Sequence, residues 1–158
     1  MMWLSVLLAA SLPVTTKAEW PTYVNARYGY SICYPASVFK PEREAGNGDG
    51  RRFLSGQGAE LRVFGLFNAL DQTLEEFAVD QAHYYQGQRG RIIYRAAKPS
   101  WIVLSGDNGG TSEFYIKAVK WGDEFVTFQL RYPVSQARVF RPLVERLSRC
   151  MALSTPPD

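Results

Sequence analysis

The spacing of apolar and polar positions changes several times along the chain, and each change marks an element. Tyr30-Ser31-Ile32-Cys33-Tyr34 alternates with period two, with Tyr30, Ile32 and Tyr34 on one strand face and Ser31 and Cys33 on the other. Pro35 closes this strand because it has no amide to donate to a ladder. A short edge strand is expected before it, over residues 20–25. Residues 42–50 are polar and glycine-rich and read as a loop. Arg51–Ser55 and Glu60–Phe67 then form a hairpin around Gly56-Gln57-Gly58. In its second arm Leu61, Val63 and Phe67 share one face and Arg62, Phe64 and Leu66 the other, which predicts a strand covered on both sides.

The period then becomes helical. Thr73 and Glu76 have capping-box spacing. Leu74, Phe77, Ala78, Gln81 and Tyr85 follow as one stripe, and Glu76, Asp80 and His83 fall on the opposite face. Gly87 stops the helix. Four strands come next, at Arg91–Ala97, Trp101–Ser105, Ser112–Trp121 and Phe125–Tyr132. Their connections are too short for parallel crossovers, so antiparallel hairpins are expected. Trp101–Leu104 is continuously apolar, which predicts a central position. A last helix is expected over about Ser135 to Met151, with Phe140, Leu143, Val144 and Leu147 in its apolar arc and Pro142 kinking it on the polar side. The order ββββαββββα predicts an α+β fold, an antiparallel sheet with helices packed on its faces.

Outside these patterns lies Trp3–Leu12, an uncharged apolar run broken by Pro13 and followed by Thr16-Lys17-Ala18. A run of this length is too short to span a bilayer, and small residues precede the expected cut after Ala18. Residues 1–18 therefore read as an export signal and residues 19–158 as a single domain. The expected location is periplasmic or secreted, with no transmembrane span after cleavage. The alternative is a buried N-terminal strand or helix. Export bears on Cys33 and Cys150, the only two cysteines, which lie near opposite ends of the domain. In an oxidising compartment they are expected to pair, provided the last helix covers the sheet face that carries Cys33. Two buried free thiols are the alternative.

Charge and candidate chemistry narrow the function further. Loss of Lys17 leaves 17 basic against 15 acidic side chains, a balance too even to indicate nucleic acid. There is one histidine, and no HExxH, CxxC, Walker, GxGxxG or GxSxG motif occurs. No cofactor is expected, and the reading is non-enzymatic. Glu76, Asp80 and His83, at i, i+4 and i+7, are the one constellation that could hold a divalent ion. A solvated helix face is the competing explanation. Arginine outnumbers lysine 13 to 5, in two groups: Arg51, Arg52, Arg89, Arg91 and Arg95, and the helix set Arg138, Arg141, Arg146 and Arg149. The helix set is the expected surface for an anionic partner, because guanidinium groups bind carboxylates and phosphates bidentately. Asn47-Gly48-Asp49-Gly50 and Asp107-Asn108-Gly109-Gly110 lack the remaining ligands of a calcium loop and read as turns. Trp20, Tyr23 and Trp121, at element ends, are candidates for an exposed aromatic patch.

Tyr28-Gly29-Tyr30-Ser31-Ile32-Cys33-Tyr34-Pro35 resembles the opening motif of PsbP-like domains. The helix between strand groups and the closing Leu143-Val144-Glu145-Arg146-Leu147-Ser148 are similar as well, so the resemblance spans roughly residues 23 to 151. It implies an αβα sandwich and a binding or scaffolding role, and it carries over no site residues. The functional expectation is an exported, non-catalytic binding or scaffolding domain of the cell envelope with a protein partner. A small-ligand or weak metal-binding periplasmic protein is the alternative.

Overall fold

The structure, a computed structural model, describes residues 19–154. The expected export signal lies outside the described residues. Strands β1 (Thr22–Asn25), β2 (Tyr30–Cys33), β3 (Phe39–Pro41), β4 (Gly50–Ser55) and β5 (Glu60–Phe67) precede helix α1 (Leu74–Gln86). Strands β6 (Arg91–Lys98), β7 (Trp101–Asp107), β8 (Ser112–Trp121) and β9 (Glu124–Pro133) follow it. The chain ends in a 3-10 turn (Val134–Gln136), helices α2 (Ala137–Phe140) and α3 (Leu143–Cys150), and strand β10 (Ala152–Leu153).

The α+β class and the antiparallel pairing are as expected, but the element order is not. Strand β3 is an addition: three residues are too few to display a period, and pairing to β4 makes them a strand. β10 is likewise recruited by β2. The single closing helix is broken, because Pro142 has no amide for the carbonyl of Arg138 and becomes the N-cap of α3. β7 is not central. The large sheet runs β3-β4-β5-β9-β8-β7-β6, and a second, three-stranded sheet runs β1-β2-β10.

Each face of the large sheet is covered over only part of its width. On one face α1 inserts Phe77, Ala78, Ala82 and Tyr85 against Ile102, Leu104, Phe114, Ile116 and Phe125, which lie on β7, β8 and β9. On the other, the small sheet with α2 and α3 packs Tyr30, Ile32, Phe140 and Leu147 against Phe39, Phe53, Leu61, Val63 and Phe128, on β3, β4, β5 and β9. β5 is buried on this second face only; Arg62, Phe64 and Leu66 on the α1 face are half-exposed. Close approach is built in at Gly65, where a Cβ would stand 2.4 Å from the Tyr28 ring.

The closing layer is pinned covalently. Cys33 at the end of β2 and Cys150 at the end of α3 form a disulfide with Cα atoms 5.7 Å apart. It bridges a sequence separation of 117, and the cross-link removes loop-closure entropy from the unfolded chain. Replacing both cysteines by alanine should lower unfolding free energy by about 2–4 kcal/mol in a urea titration. Reducing the wild-type protein should give a comparable loss.

Candidate functional site

A cleft of about 400 Å³ opens beside β4, where residues 42–49 fold back along its outer edge. The loop is positioned from below. Buried Asn25 donates from Nδ2 to the Gly48 carbonyl at 2.9 Å and to Glu44 Oε1 at 3.3 Å, while its Oδ1 accepts from the Tyr28 amide at 2.9 Å. The Tyr23 hydroxyl donates to Glu44 Oε1 at 2.6 Å, and burial, more than the nearby carboxylate, pushes its pKa up. Arg27 donates to the Asn47 carbonyl. At Gly50 the strands come so close that a Cβ would lie 2.0 Å from the Val63 carbonyl oxygen. The Asn47–Gly50 stretch is thus a pinned turn, as its composition suggested.

Four arginines line the cleft: Arg43 on the loop, Arg51 and Arg52 on β4, and Arg62 on β5. Register puts Arg52 directly opposite Arg62. The unfavourable like-charge pair is bridged by Glu60, which lies 3.7 Å from each guanidinium, and Glu42 holds Arg52 at 2.7 Å. Arg62 also lies over the Phe64 and Tyr84 rings, at 5.6 and 5.8 Å from their centroids. Arg51 is stacked over the Tyr23 ring at 4.9 Å, yet its Nε is buried with no hydrogen-bond acceptor among the described residues. Neither Arg43 nor Arg51 has an ion pair among those residues. An orphaned buried donor costs about 1–3 kcal/mol. Guanidinium groups do not release protons, so the arginines can bind and orient an anion but move no proton.

The residues singled out from sequence sort differently. Glu76, Asp80 and His83 do share one exposed face of α1, but the structure does not gather them into a ligand set. Glu76 is turned toward the helix start, where Oε2 accepts from the Thr73 amide at 2.7 Å and hydroxyl at 2.9 Å. Those two bonds hold its carboxyl below the usual range. Asp80 accepts from Gln72 Nε2 at 2.6 Å instead. No group of three or more His, Cys, Asp or Glu side chains able to hold an ion occurs among the described residues.

Of the helix arginines, Arg141 is bound by Glu113, Arg149 pairs with Glu145, and Arg146 stacks over Trp20 at 4.2 Å. Only Arg138 of the four is exposed without such a partner among the described residues. The other arginine group splits too. Arg51 and Arg52 join the cleft, while Arg91 pairs with Asp107 at 3.7 Å and Arg95 ties β6 to Glu75 of α1. Tyr23 is buried in the core rather than part of an aromatic patch, and Trp121 lines a separate hollow with Tyr28 and Phe67. Arg43 and Arg62 are the cleft members that pattern reading missed. A signal for Arg62 was present, since a hairpin turning at 56–58 sets Arg52 across from it.

No family model matches the chain, and no curated protein sequence does. Among solved structures, the solution structure of cyanobacterial PsbP (CyanoP) from Synechocystis sp. PCC 6803 superposes with a TM-score of 0.63 at 16% identity. The match covers 92% of this chain and 98% of that one. The chain therefore has a PsbP-like fold, and at this identity the likeness extends to the fold alone.

Two substitutions separate the cap from a metal site. Glu76→Ala should lower the urea midpoint, through loss of the capping box. His83→Ala should stay within about 0.5 kcal/mol of wild type. Zinc titrated calorimetrically into wild type and His83→Ala should give the same trace.

Proposed function

We propose that this chain is an exported, non-catalytic binding domain of the cell envelope that holds an acidic segment of a partner protein in the cleft of Arg43, Arg51, Arg52 and Arg62. The observation that carries this reading is a cleft lined by four arginines, of which Arg43 and Arg51 have no ion pair among the described residues and Arg43 is exposed. A carboxylate entering there would meet, at Arg43, a planar fork suited to bidentate bonding. Because the loop is tied down through Asn25, Tyr23 and Glu44, little ordering entropy remains to be lost on binding. Export is supported by the apolar run with a small residue at position 18 and by the Cys33–Cys150 pair, since such cross-links persist in oxidising compartments.

An oligoglutamate peptide titrated into the folded, disulfide-bonded protein tests this. Saturable binding is expected, weakening as salt is raised from low to physiological concentration. Arg43→Glu, at an exposed loop position, should weaken it by about tenfold or more, and Arg51→Gln likewise. Binding indifferent to salt and to both substitutions would remove the cleft from the function.

A further inference from the structure

The half of the large sheet that the closing layer leaves bare has a chemistry of its own. Cross-strand register places Ala96, Val103 and Lys117 in a row across β6, β7 and β8. Tyr94 and Tyr115 stand one step along the strands on that side, and Trp101 stands on the other. The residues face the side that α3 covers further along the sheet, and Ser148 of α3 forms the rim. They enclose a hollow of about 180 Å³. That is below the roughly 300–1,000 Å³ of pockets for drug-sized ligands, and it suits a single ring with one polar substituent.

Lys117 sits in this hollow in an unusual state. Its Nζ donates to the Ser148 carbonyl at 2.8 Å, which uses one of three protons. It has no ion pair among the described residues, although it is half-buried. Burial pushes its pKa down, because an ammonium loses hydration there and no carboxylate compensates. The surrounding walls are aromatic and fixed: the Tyr115 ring stacks on buried Phe128 with centroids 5.7 Å apart. Tyr94, 54% exposed, and Trp101 offer further ring surface at the mouth.

We infer that this hollow is a second binding site, for a small aromatic carboxylate whose ring packs among Tyr94, Trp101 and Tyr115 and whose carboxylate pairs with Lys117. It is independent of the arginine cleft, since the two sites share no residue and lie at opposite ends of the large sheet, on β4 and β5 in one case and on β6, β7 and β8 in the other. The anion neutralises the one charge the fold leaves uncompensated at this point, and the apolar walls select for a ring over a small inorganic anion.

Benzoate is the probe, followed by amide and indole resonances of the isotope-labelled, disulfide-bonded protein. Saturable shifts are expected at the Trp101 indole and at the backbone of Lys117 and Ser148. Benzamide, which keeps the ring and loses the charge, should bind at least about tenfold more weakly, as should acetate, which keeps the charge and loses the ring. Lys117→Met keeps the apolar stem and should weaken benzoate by a similar factor, whereas Arg43→Glu should leave it unchanged. The inference is overturned if benzoate, benzamide and acetate are indistinguishable on the wild-type protein. It is equally overturned if benzoate shifts resonances only around the arginine cleft, or if folded Lys117→Met binds it as wild type does.

Discussion

Strand β9 is the constraint on which the remainder of the fold depends, because it is buried on both faces. Six consecutive residues, Phe125 to Leu130, are inaccessible, and side-chain alternation divides them between two cores. Val126, Phe128 and Leu130 belong to the closing layer, while Phe125 packs under α1, its ring stacked on Phe77 with centroids 4.4 Å apart. Thr127 and Gln129 also fall on the α1 side, and both are satisfied. The Thr127 hydroxyl donates to the Lys117 carbonyl at 2.9 Å, and Gln129 accepts from the Tyr85 hydroxyl at 2.8 Å while donating to Gln81 at 2.9 Å. A slip of one residue would exchange the two sets, burying Gln129 among the aromatics of the closing layer. Register is therefore specified twice, by apolar packing and by polar satisfaction.

From that shared strand the two covering layers extend in opposite directions. Helix α1 reaches over β8, β7 and β6; the small sheet and α3 reach over β5, β4 and β3. Two quarters of the sheet surface are left open, diagonally opposed. One presents Arg52, Arg62 and Phe64, and the other Tyr94, Trp101, Tyr115 and Lys117. A fold with fully overlapping layers would have buried these positions and could not have carried the same side chains. The arginine cleft and the aromatic hollow are thus consequences of one architectural offset.

Much of this was legible in the amino-acid pattern, and the misses have physical causes. The β2 alternation, the α1 capping box and its stripe, the antiparallel hairpins and the Cys33–Cys150 pairing all follow from local chemistry or from parity. Strand β3 and strand β10 exist only through pairing with a neighbour, so their own residues carry no period. Pro142 was visible as a kink, but whether a proline bends a helix or breaks it depends on what the flanking turns pack against. Trp101–Leu104 looked central because a strand next to the edge can still be apolar on both faces when one face lines a hollow. Glu76, Asp80 and His83 share a face by spacing alone. Spacing does not reveal that Glu76 is already committed to Thr73. The cleft was the least legible feature, since Arg43, Arg51, Arg52 and Arg62 come to line it only after a loop folds back and two strands pair.

The offset of the two layers is the claim on which both binding surfaces rest, and hydroxyl-radical footprinting of the folded, disulfide-bonded protein tests it directly. Leu54 on β4 and Tyr94 on β6 are 37% and 54% exposed, whereas Phe53 and Leu104, on the covered sides of β4 and β7, are 0% and 1%. Rapid modification of Leu54, Tyr94 and Trp101, together with protection of Phe53, Leu104 and Phe128, is the expected result. Protection of Leu54 or of Tyr94 and Trp101 to the level of Phe128 would mean that the layers overlap across the whole sheet, and would contradict the open quarters.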